Sequence, residues 1–418
     1  MKIRTKNVDF SYLEKVKKPK RKKPQRPWWI LGVLINIISF FDLRATRFKY
    51  KKENMEKAGK GPYLILMNHS SFIDLEIAYR IFFPKKFGFV CTSDSFVGLS
   101  FILRKLGCIP TNKFVSDIGL VSDMLYSVKK NKVSVLMYPE ASYTFDGTAT
   151  TLPQKLGVLA KKMDVPIVMV KTKGAFLRQP LYNCLKKRKV NVSATVKCLF
   201  SLDEVRTLPA EEITSAIENE FKFDNFKEQY DEKIVINEEF RADGLERILY
   251  RCPECLSEEG MEGKGTQLVC KKCGKAYEMD TLGQLKALTD DTKFSHIPDW
   301  YAWQRECVKK EIESGEYRLD CDVKIGVLAD YKAIYMVGDG HLTHTKDGFT
   351  LNGCDGRLSY TQKSSSSYGL YADYYWYQID DVICIGDKKR LYYCFPKEKV
   401  NVAKARLAAE EIYKLKIN

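Results

Sequence analysis

The sequence predicts an α/β domain, followed by a small cysteine-rich ribbon and a mainly β domain that ends in a helix. Three observations predict this order. Short apolar runs alternate with helix-like segments from about residue 50 to 235, two Cys-x2-Cys pairs come next, and alternating aromatic-rich runs separated by Gly turns fill 321–396. We therefore expect four segments, at 1–48, 49–238, 239–290 and 291–418.

The first segment joins a basic arm to an apolar stretch. Residues 1–26 carry eleven Lys or Arg against Asp9 and Glu14, a net charge of +9 in a chain whose total is +16. Residues 28–41 are uncharged and begin with a Trp pair, but a bilayer span takes roughly 20 apolar residues. We expect a helix in the interface of an anionic membrane, with the protein at the cytoplasmic face. The alternative is a buried first helix beside a solvated tail.

Thirteen cysteines without a good secretory signal indicate a reducing compartment. Four of them form two Cys-x2-Cys pairs separated by fourteen residues, which predicts a closed tetrahedral site for structural zinc and no catalytic metal. The ligands are Cys252, Cys255, Cys270 and Cys273. A zinc ribbon in a basic chain also raises nucleic-acid binding as an alternative. We expect none, because the basic excess lies far from these cysteines and no basic and aromatic face surrounds them.

Within the α/β domain, a mixed sheet flanked by helices is expected. Its strands are predicted at 63–67, 87–91, 133–137, 165–170 and 190–200. The first strand runs into Asn68 and His69, and a helical pattern follows from Asp74. Strand-to-helix turns of this kind are where α/β enzymes place their chemistry.

His69 and Asp74 form the candidate catalytic pair. A histidine is suited to removing a proton near neutral pH, and a carboxylate on its other nitrogen fixes the tautomer. Inside one helix a spacing of five would place the two side chains about 140° apart, so the pair requires a helix that starts after His69. The amides of residues 70–72 would then be free for an oxyanion or a phosphate. Alternatively, Asp74 only caps the helix.

Four short segments in order carry a family resemblance. They are Asn68-His-Ser-Ser-Phe-Ile-Asp74, Gly107-Cys-Ile-Pro-Thr-Asn-Lys113, Tyr138-Pro-Glu-Ala-Ser-Tyr-Thr144 and Val165-Pro-Ile-Val168. Together they resemble the four blocks of the glycerophospholipid acyltransferase family, whose best known members are 1-acylglycerol-3-phosphate acyltransferases. The resemblance covers about residues 50–205.

The resemblance implies direct attack of a lysolipid hydroxyl on an acyl thioester, carried by coenzyme A or acyl carrier protein, with no other cofactor. The acceptor would be a lysophospholipid, with 1-acyl-glycerol-3-phosphate as the first expectation. The implied substrate-binding positions are Asn68, Lys113, Glu140, Ala141, Ser142 and Tyr143. Glu140 would bond the acceptor's hydroxyls, brace the loop or stand in a solvated turn.

The third block departs from the family pattern. Tyr143 stands where the family has an arginine that is thought to grip the acceptor's phosphate, and Ala141 replaces a glycine. Lys171 or Lys173 could supply the missing cation. The alternative to an enzyme is an acyltransferase-like lipid-binding or adaptor protein. In that case the altered third block would indicate that catalytic activity has been lost.

The last segment has a pattern of about seven strands and one C-terminal helix, which resembles pleckstrin-homology or GRAM domains. A lipid-surface role and a plain packing or dimerising role are both open. His341 and His344 are expected to alternate on one face of a predicted strand, without a cysteine or acidic partner nearby, and to be surface residues.

Overall fold

The computed structural model describes residues 2–17, 19–115 and 117–417. Met1 and Lys18 of the basic arm and Asn418 of the last segment lie outside this range. Three sheets follow one another along the chain, in the predicted order of a mixed sheet, a small antiparallel sheet around the cysteines and a larger β region. The expected segment boundaries stay a prediction.

The N-terminal region comprises β1 Thr5–Asn7, α1 Tyr12–Lys15 and α2 Trp29–Ala45. The α/β region comprises β2 Lys49–Glu53, β3 Leu64–Met67, α3 Ile73–Phe82, β4 Phe87–Thr92, α4 Ser100–Lys105, β5 Ile109–Thr111, α5 Ile118–Lys129, β6 Ser134–Met137, α6 Leu156–Met163, β7 Ile167–Lys173, α7 Ala175–Arg178, β8 Ser193–Phe200, α8 Leu202–Thr207, α9 Ala210–Glu220 and α10 Asn225–Asp231.

The α/β sheet has the strand order β2-β8-β7-β3-β6-β4-β5. Every neighbouring pair is parallel except β7 with β8, so the sheet is mixed, as predicted. All five predicted strands are present. The short strands β2 and β5 lie at the two edges and were not predicted, since β2 is a charged run and β5 is only three residues long. In the centre, β3 is completely buried, which explains its unbroken apolar run.

The cysteine-rich region forms an antiparallel sheet of four strands, β9 Met261–Lys264, β10 Gln267–Cys270, β11 Ala276–Met279 and β12 Leu285–Ala287. The long helix α11 Ile297–Ser314 follows, with Trp300 completely buried against Tyr277.

The last region contains seven strands and a helix, as the pattern predicted. They are β13 Leu319–Leu328, β14 Ile334–Thr345, β15 Gly348–Gly353, β16 Leu358–Lys363, β17 Tyr371–Trp376, β18 Asp380–Gly386, β19 Leu391–Pro396 and α12 Val402–Ile417. The strand order is β16-β15-β14-β13-β19-β18-β17, so two meanders meet where β13 pairs with β19. We call residues 319–417 the β-rich domain.

The basic arm is not a free tail, which corrects the expectation from its charge. Strand β1 pairs in parallel with β14 of the β-rich domain, and Leu13 is fully buried. Farther along, Arg21 forms ion pairs with Asp117 at 2.8 Å and Asp123 at 2.7 Å. The arm therefore links the β-rich domain to the α/β domain, because its apolar and arginine side chains find partners that a charge count does not reveal.

The expectation that both histidines of β14 are surface residues on one face holds for the exposure of His341 but was wrong for His344 and for the shared face. Three residues apart, they lie on opposite faces of the strand. His341 is on the exposed face, where Nδ1 is 2.9 Å from Asp322 Oδ1. His344 is buried, stacks on Phe349 with ring centroids 3.7 Å apart and bonds the Tyr317 hydroxyl. Burial lowers the pKa of His344 to about 3, so it stays neutral near neutral pH.

Candidate active site

The His69–Asp74 pair forms at the carboxyl end of β3. His69 Nδ1 lies 3.1 Å from Asp74 Oδ2, and helix α3 begins at Ile73, after the histidine, as the pair required. A carboxylate can only accept, so the proton of the ring lies on Nδ1 and Nε2 has the free lone pair. Asp74 is completely buried, whereas 21% of the His69 side chain is exposed. This arrangement provides an oriented base with access to a ligand.

Asp74 holds the turn together as well as the imidazole. Its Oδ2 also accepts from the amides of Ser70 at 2.7 Å and Ser71 at 3.0 Å. Those two amides are therefore not free for an oxyanion or a phosphate, which corrects the expectation for two of the three amides at residues 70–72. The capping function and the dyad function of Asp74 coexist, because one carboxylate oxygen serves both.

Two tyrosine rings pack on the imidazole. The ring centroid of His69 lies 4.0 Å from that of Tyr138 and 4.3 Å from that of Tyr143. Burial lowers the pKa of His69, and the hydrogen bond and charge of Asp74 raise it in part. Tyr143, at the position of the family's arginine, thus supplies an aromatic wall to the base. No cation stands at that position.

Glu140 braces the loop that carries the base. Its Oε2 accepts from the amide of His69 at 2.8 Å, and Oε1 faces the amide and hydroxyl of Thr150 at 3.4 and 3.3 Å. The side chain is 1% exposed, so the solvated-turn alternative was wrong. Burial raises the pKa of Glu140 to about 7, against the lowering effect of these hydrogen bonds.

Asn68 connects two strands of the sheet. Its Oδ1 accepts from the amide of Thr172 at 2.8 Å and from the hydroxyl of Thr172 at 3.1 Å. Its Nδ2 donates to Ser70 Oγ and to the carbonyl of Thr172. Since both amide hydrogens and the carbonyl are used within the protein, this structure leaves Asn68 no free group for the predicted substrate contact.

The third block also contains a strained residue and an unpartnered hydroxyl. Ala141 has φ of 58°, a left-handed conformation that costs an L-residue roughly 1–2 kcal/mol and explains glycine at this place in the family. Among the described residues, the buried Ser142 Oγ, Tyr138 hydroxyl, Ser71 Oγ and Asp74 Oδ1 have no hydrogen-bond partner. Such a group of unsatisfied polar atoms around a base is typical of a ligand site.

Lys113 points toward the β-rich domain. Its Nζ lies 4.0 Å from the ring centroid of Tyr371. Burial lowers the pKa of Lys113, and the charges of Asp373 and Asp94 raise it in part. Lys113 also lowers the pKa of His69 through its charge. The charge of the lysine therefore reaches the base, and the lysine is itself influenced by Asp94, Asp373 and Arg406. Its predicted contact with the acceptor stays a prediction.

Lys171 and Lys173 do not replace the missing arginine. Lys171 Nζ donates to the carbonyl of Lys222 at 2.9 Å. Lys173 pairs with Glu228 and, at 3.1 Å, with Glu232. Both cations are engaged by the segment from α9 to α10, so the structure gives no support to the suggestion that one of them supplies the phosphate grip.

Sequence reasoning missed two contributors to the site. Tyr138 was identified only as the first residue of the third block, although its ring packs on the imidazole of His69. Asp94 is completely buried just after β4 and accepts from the hydroxyls of Tyr371 at 2.9 Å and Tyr393 at 3.1 Å. Its position at the carboxyl end of a predicted strand, where α/β proteins bind ligands, could have identified Asp94 from the sequence.

The four predicted metal ligands converge. The sulfurs of Cys252 and Cys273, and those of Cys255 and Cys270, are 3.7 Å apart, and all four lie within 4.8 Å of one another. Four thiolates on a tetrahedral zinc ion with bonds of about 2.3 Å have sulfurs about 3.8 Å apart. The set therefore fits a tetrahedral metal ion.

Three comparisons with known proteins found matches to part of the chain. Residues 47–173 match the Acyltransferase family model. A 1-acyl-sn-glycerol-3-phosphate acyltransferase of Saccharomyces cerevisiae is 31% identical over 123 residues, which is 28% of this chain and 40% of the yeast protein. The crystal structure of the 1-acyl-sn-glycerophosphate acyltransferase PlsC from Thermotoga maritima aligns with 46% of this chain and 76% of that chain, at a TM-score of 0.35 and 17% identity.

The matched segment contains the histidine, the aspartate and all of the third block. The cysteine cluster and the β-rich domain lie outside it, and the chain spans less than half of the yeast protein. Residues 47–173 are therefore an Acyltransferase-family segment within a longer chain, and this segment is similar to glycerophospholipid acyltransferases.

Proposed function

We propose that the protein is an O-acyltransferase that moves a fatty acyl group from a thioester to a free hydroxyl of a lysophospholipid. The observation that carries this proposal is the His69–Asp74 dyad at 3.1 Å, within a segment that matches the Acyltransferase family. The acyl donor would be acyl-coenzyme A or an acyl carrier protein. The reference acceptor is 1-acyl-glycerol-3-phosphate, expected from the resemblance and named for the yeast relative.

In the proposed reaction, His69 Nε2 takes the proton of the acceptor hydroxyl while that oxygen attacks the thioester carbonyl carbon. Asp74 stabilises the imidazolium that forms. The carbon–sulfur bond then breaks, and the imidazolium returns its proton to the departing thiolate. The unpartnered hydroxyls of Tyr138 and Ser142 are available as donors to the oxyanion, in place of the amides that Asp74 occupies.

The pKa of the His69 imidazole tests this assignment. We expect NMR titration of the imidazole to give a pKa below 6.5, since burial opposes the charged form. Asp74→Asn removes the charge that stabilises the imidazolium, so the pKa should fall further and turnover should drop by about 10²-fold or more. A His69 pKa that Asp74→Asn leaves unchanged contradicts the dyad. The His69→Ala spectrum assigns the signal.

We also propose that the protein binds the surface of an anionic membrane, at its cytoplasmic face, through α2 and α4. Helix α2 exposes Trp29, Ile38 and Phe41 by 66%, 74% and 74%, and α4 exposes Phe101 by 69%. The rings of Trp28 and Phe101 are 6.4 Å apart, so the two helices present a joint apolar surface. No helix among the described residues is long and apolar enough to cross a membrane.

Polar substitution of this surface should weaken membrane binding without unfolding the protein. We expect the triple variant Trp29→Gln, Ile38→Gln, Phe41→Gln to bind anionic vesicles at least about 10-fold more weakly in a sedimentation assay, because burying one such side chain contributes roughly 1.5–3 kcal/mol. The matched control changes the exposed residues Val235, Leu256 and Leu288 to Gln. An equal loss in both triples would count against a specific membrane face.

The cysteine cluster and the β-rich domain lie outside the segment that matches the family. We propose that the four cysteines hold a structural zinc ion, on the basis of their sulfur spacing. The seven strands and final helix of the β-rich domain support the pleckstrin-homology or GRAM resemblance in pattern only. In this structure that domain docks on the candidate active site, which supports a role beyond packing.

A further inference from the structure

The β-rich domain forms one side of the candidate active site. Arg406 of α12 donates to the carbonyl of Tyr143 at 3.1 Å, and Tyr143 packs on His69. The amide of Gly98 donates to the carbonyl of Tyr331 at 3.0 Å, just before β14. Together with the two tyrosine hydroxyls on Asp94, these contacts attach the domain to the carboxyl edge of the α/β sheet. The acceptor pocket is therefore not built by the family segment alone.

Strand β17 places the carboxylate of Asp373 near Lys113, the lysine that is expected to bind the phosphate. Tyr371 lies under the Lys113 ammonium at 4.0 Å and donates to Asp94. Asp373 is two residues farther along the same strand and therefore on the same face as Tyr371. Asp373 and Lys113 are both only partly buried, so each retains a surface that a ligand can reach. Burial raises the pKa of Asp373 to about 6, and the Lys113 charge lowers it in part.

The backbone after Asp373 is strained. Tyr375, Tyr377 and Gln378 have φ of 48°, 47° and 64°, left-handed conformations that L-residues rarely adopt. Non-glycine residues are held in this region at a cost, and such strain clusters at ligand-binding segments. The turn that follows β17 is thus held in an unfavourable shape directly beside the acidic group of the pocket.

The charged side chains around Lys113 suit a zwitterionic head group better than a phosphate monoester. A phosphate monoester carries about 1.5 to 2 negative charges near pH 7 and would meet Lys113 together with Asp94 and Asp373. The charge of Arg406 also reaches Lys113 and Asp373, but Arg406 is buried and paired with Glu410. A phosphate diester with a terminal ammonium carries one charge of each sign. Its phosphate matches Lys113, and its ammonium matches Asp373 and the tyrosine faces around it. Tyr143, unlike the family's arginine, adds no second cation for a monoester.

We propose that Asp373 is a specificity-determining residue that selects lysophospholipid acceptors with a zwitterionic head group, the phosphate lying on Lys113 and the ammonium on Asp373. This inference rests on the proposed acyl transfer, and it changes the expected acceptor from 1-acyl-glycerol-3-phosphate to a phosphodiester that carries an amine. The β-rich domain then has a defined part in substrate choice.

The test compares kcat/KM for three acceptors with the same acyl chain: 1-acyl-glycerophosphoethanolamine, 1-acyl-glycerophosphoglycerol and 1-acyl-glycerol-3-phosphate. We expect the ethanolamine ester to be preferred over the monoester by about 10-fold or more, a difference that one favourable charge pair supplies. Asp373→Asn keeps the shape of the side chain and should bring the preference for the ethanolamine ester over the glycerol ester close to 1. Asp347→Asn, at an exposed turn of the same domain, is the control and should leave it unchanged.

Two results overturn the inference while leaving acyl transfer in place. One is a preference for the monoester, and the other is a preference for the ethanolamine ester over the glycerol ester that survives Asp373→Asn. Absence of acyl transfer to all three acceptors is a different result and counts against the proposed function. In that case calorimetry with soluble glycerophosphoethanolamine and glycerol 3-phosphate decides the inference. Tighter binding of the ethanolamine compound, lost in Asp373→Asn, supports it, and equal or weaker binding overturns it.

Discussion

Replacing His69 with alanine is expected to reduce acyl-transfer turnover by about 10²–10⁴-fold, the contribution typical of a positioned general base. The physical reason is that Nε2 is the free lone pair of a ring whose other nitrogen is held by Asp74 at 3.1 Å. The measurement is kcat with a labelled acyl thioester and a lysolipid. Thermal unfolding should change little, because the His69 side chain is partly exposed and its backbone amide, which binds Glu140, remains.

His341 offers a matched control for that variant. It also pairs with a carboxylate, at 2.9 Å from Asp322, but it lies on the exposed face of β14, in the β-rich domain. His341→Ala should retain full turnover. Near-normal turnover in His69→Ala would end the catalytic assignment. Lipid binding without any turnover in the unmodified protein would instead support the alternative of a lipid-binding or adaptor protein.

Removal of the proposed zinc ion should have the largest effect on stability. Structural zinc contributes roughly 10–16 kcal/mol to the folding of zinc-finger peptides. Here Cys252 and Cys270 are completely buried in a cluster that also contains Trp300 and Tyr277. We expect a strong chelator at neutral pH to lower the Tm by about 10 °C or more, since even a few kcal/mol shift the Tm of a domain this large by several degrees. Elemental analysis should give one zinc per chain.

Two exposed cysteines, one inside the cluster and one outside it, test whether the cluster binds metal. Cys273→Ser removes one of the four ligands and should lower the Tm and the zinc content, whereas Cys184→Ser, at an exposed cysteine outside the cluster, should change neither. An unchanged Tm in the presence of chelator, with a metal-free protein that stays folded, would show that the cluster is four reduced thiols.

The parts of the site that sequence reasoning predicted are local. His69 and Asp74 are five residues apart, and their geometry follows from one strand ending and one helix beginning between them. The apolar runs of β3 and β7 likewise indicate buried strands without knowledge of their neighbours. Periodicity and capping act over a few residues, so such features can be read directly from the chain.

The parts that sequence reasoning missed depend on contacts between distant residues. Asp94 and Tyr371 are separated by 277 positions, yet their hydrogen bond joins two domains. The pairing of β1 with β14 likewise turns a basic arm into part of a sheet. No local pattern reveals that Asp373 and Lys113 lie close enough for each charge to act on the other, because both look like ordinary solvated charges in sequence. The acidity of the pocket is therefore a result of tertiary structure alone.

The most direct test of the central claim is the mass of the product. The purified protein is incubated with anionic vesicles, an isotopically labelled acyl-coenzyme A and the three lysolipids, and the lipids are identified by mass spectrometry. The account predicts a diacyl phospholipid that carries the labelled chain and is absent with His69→Ala. Labelled free fatty acid with no labelled phospholipid, or the same phospholipid yield with His69→Ala, would contradict it.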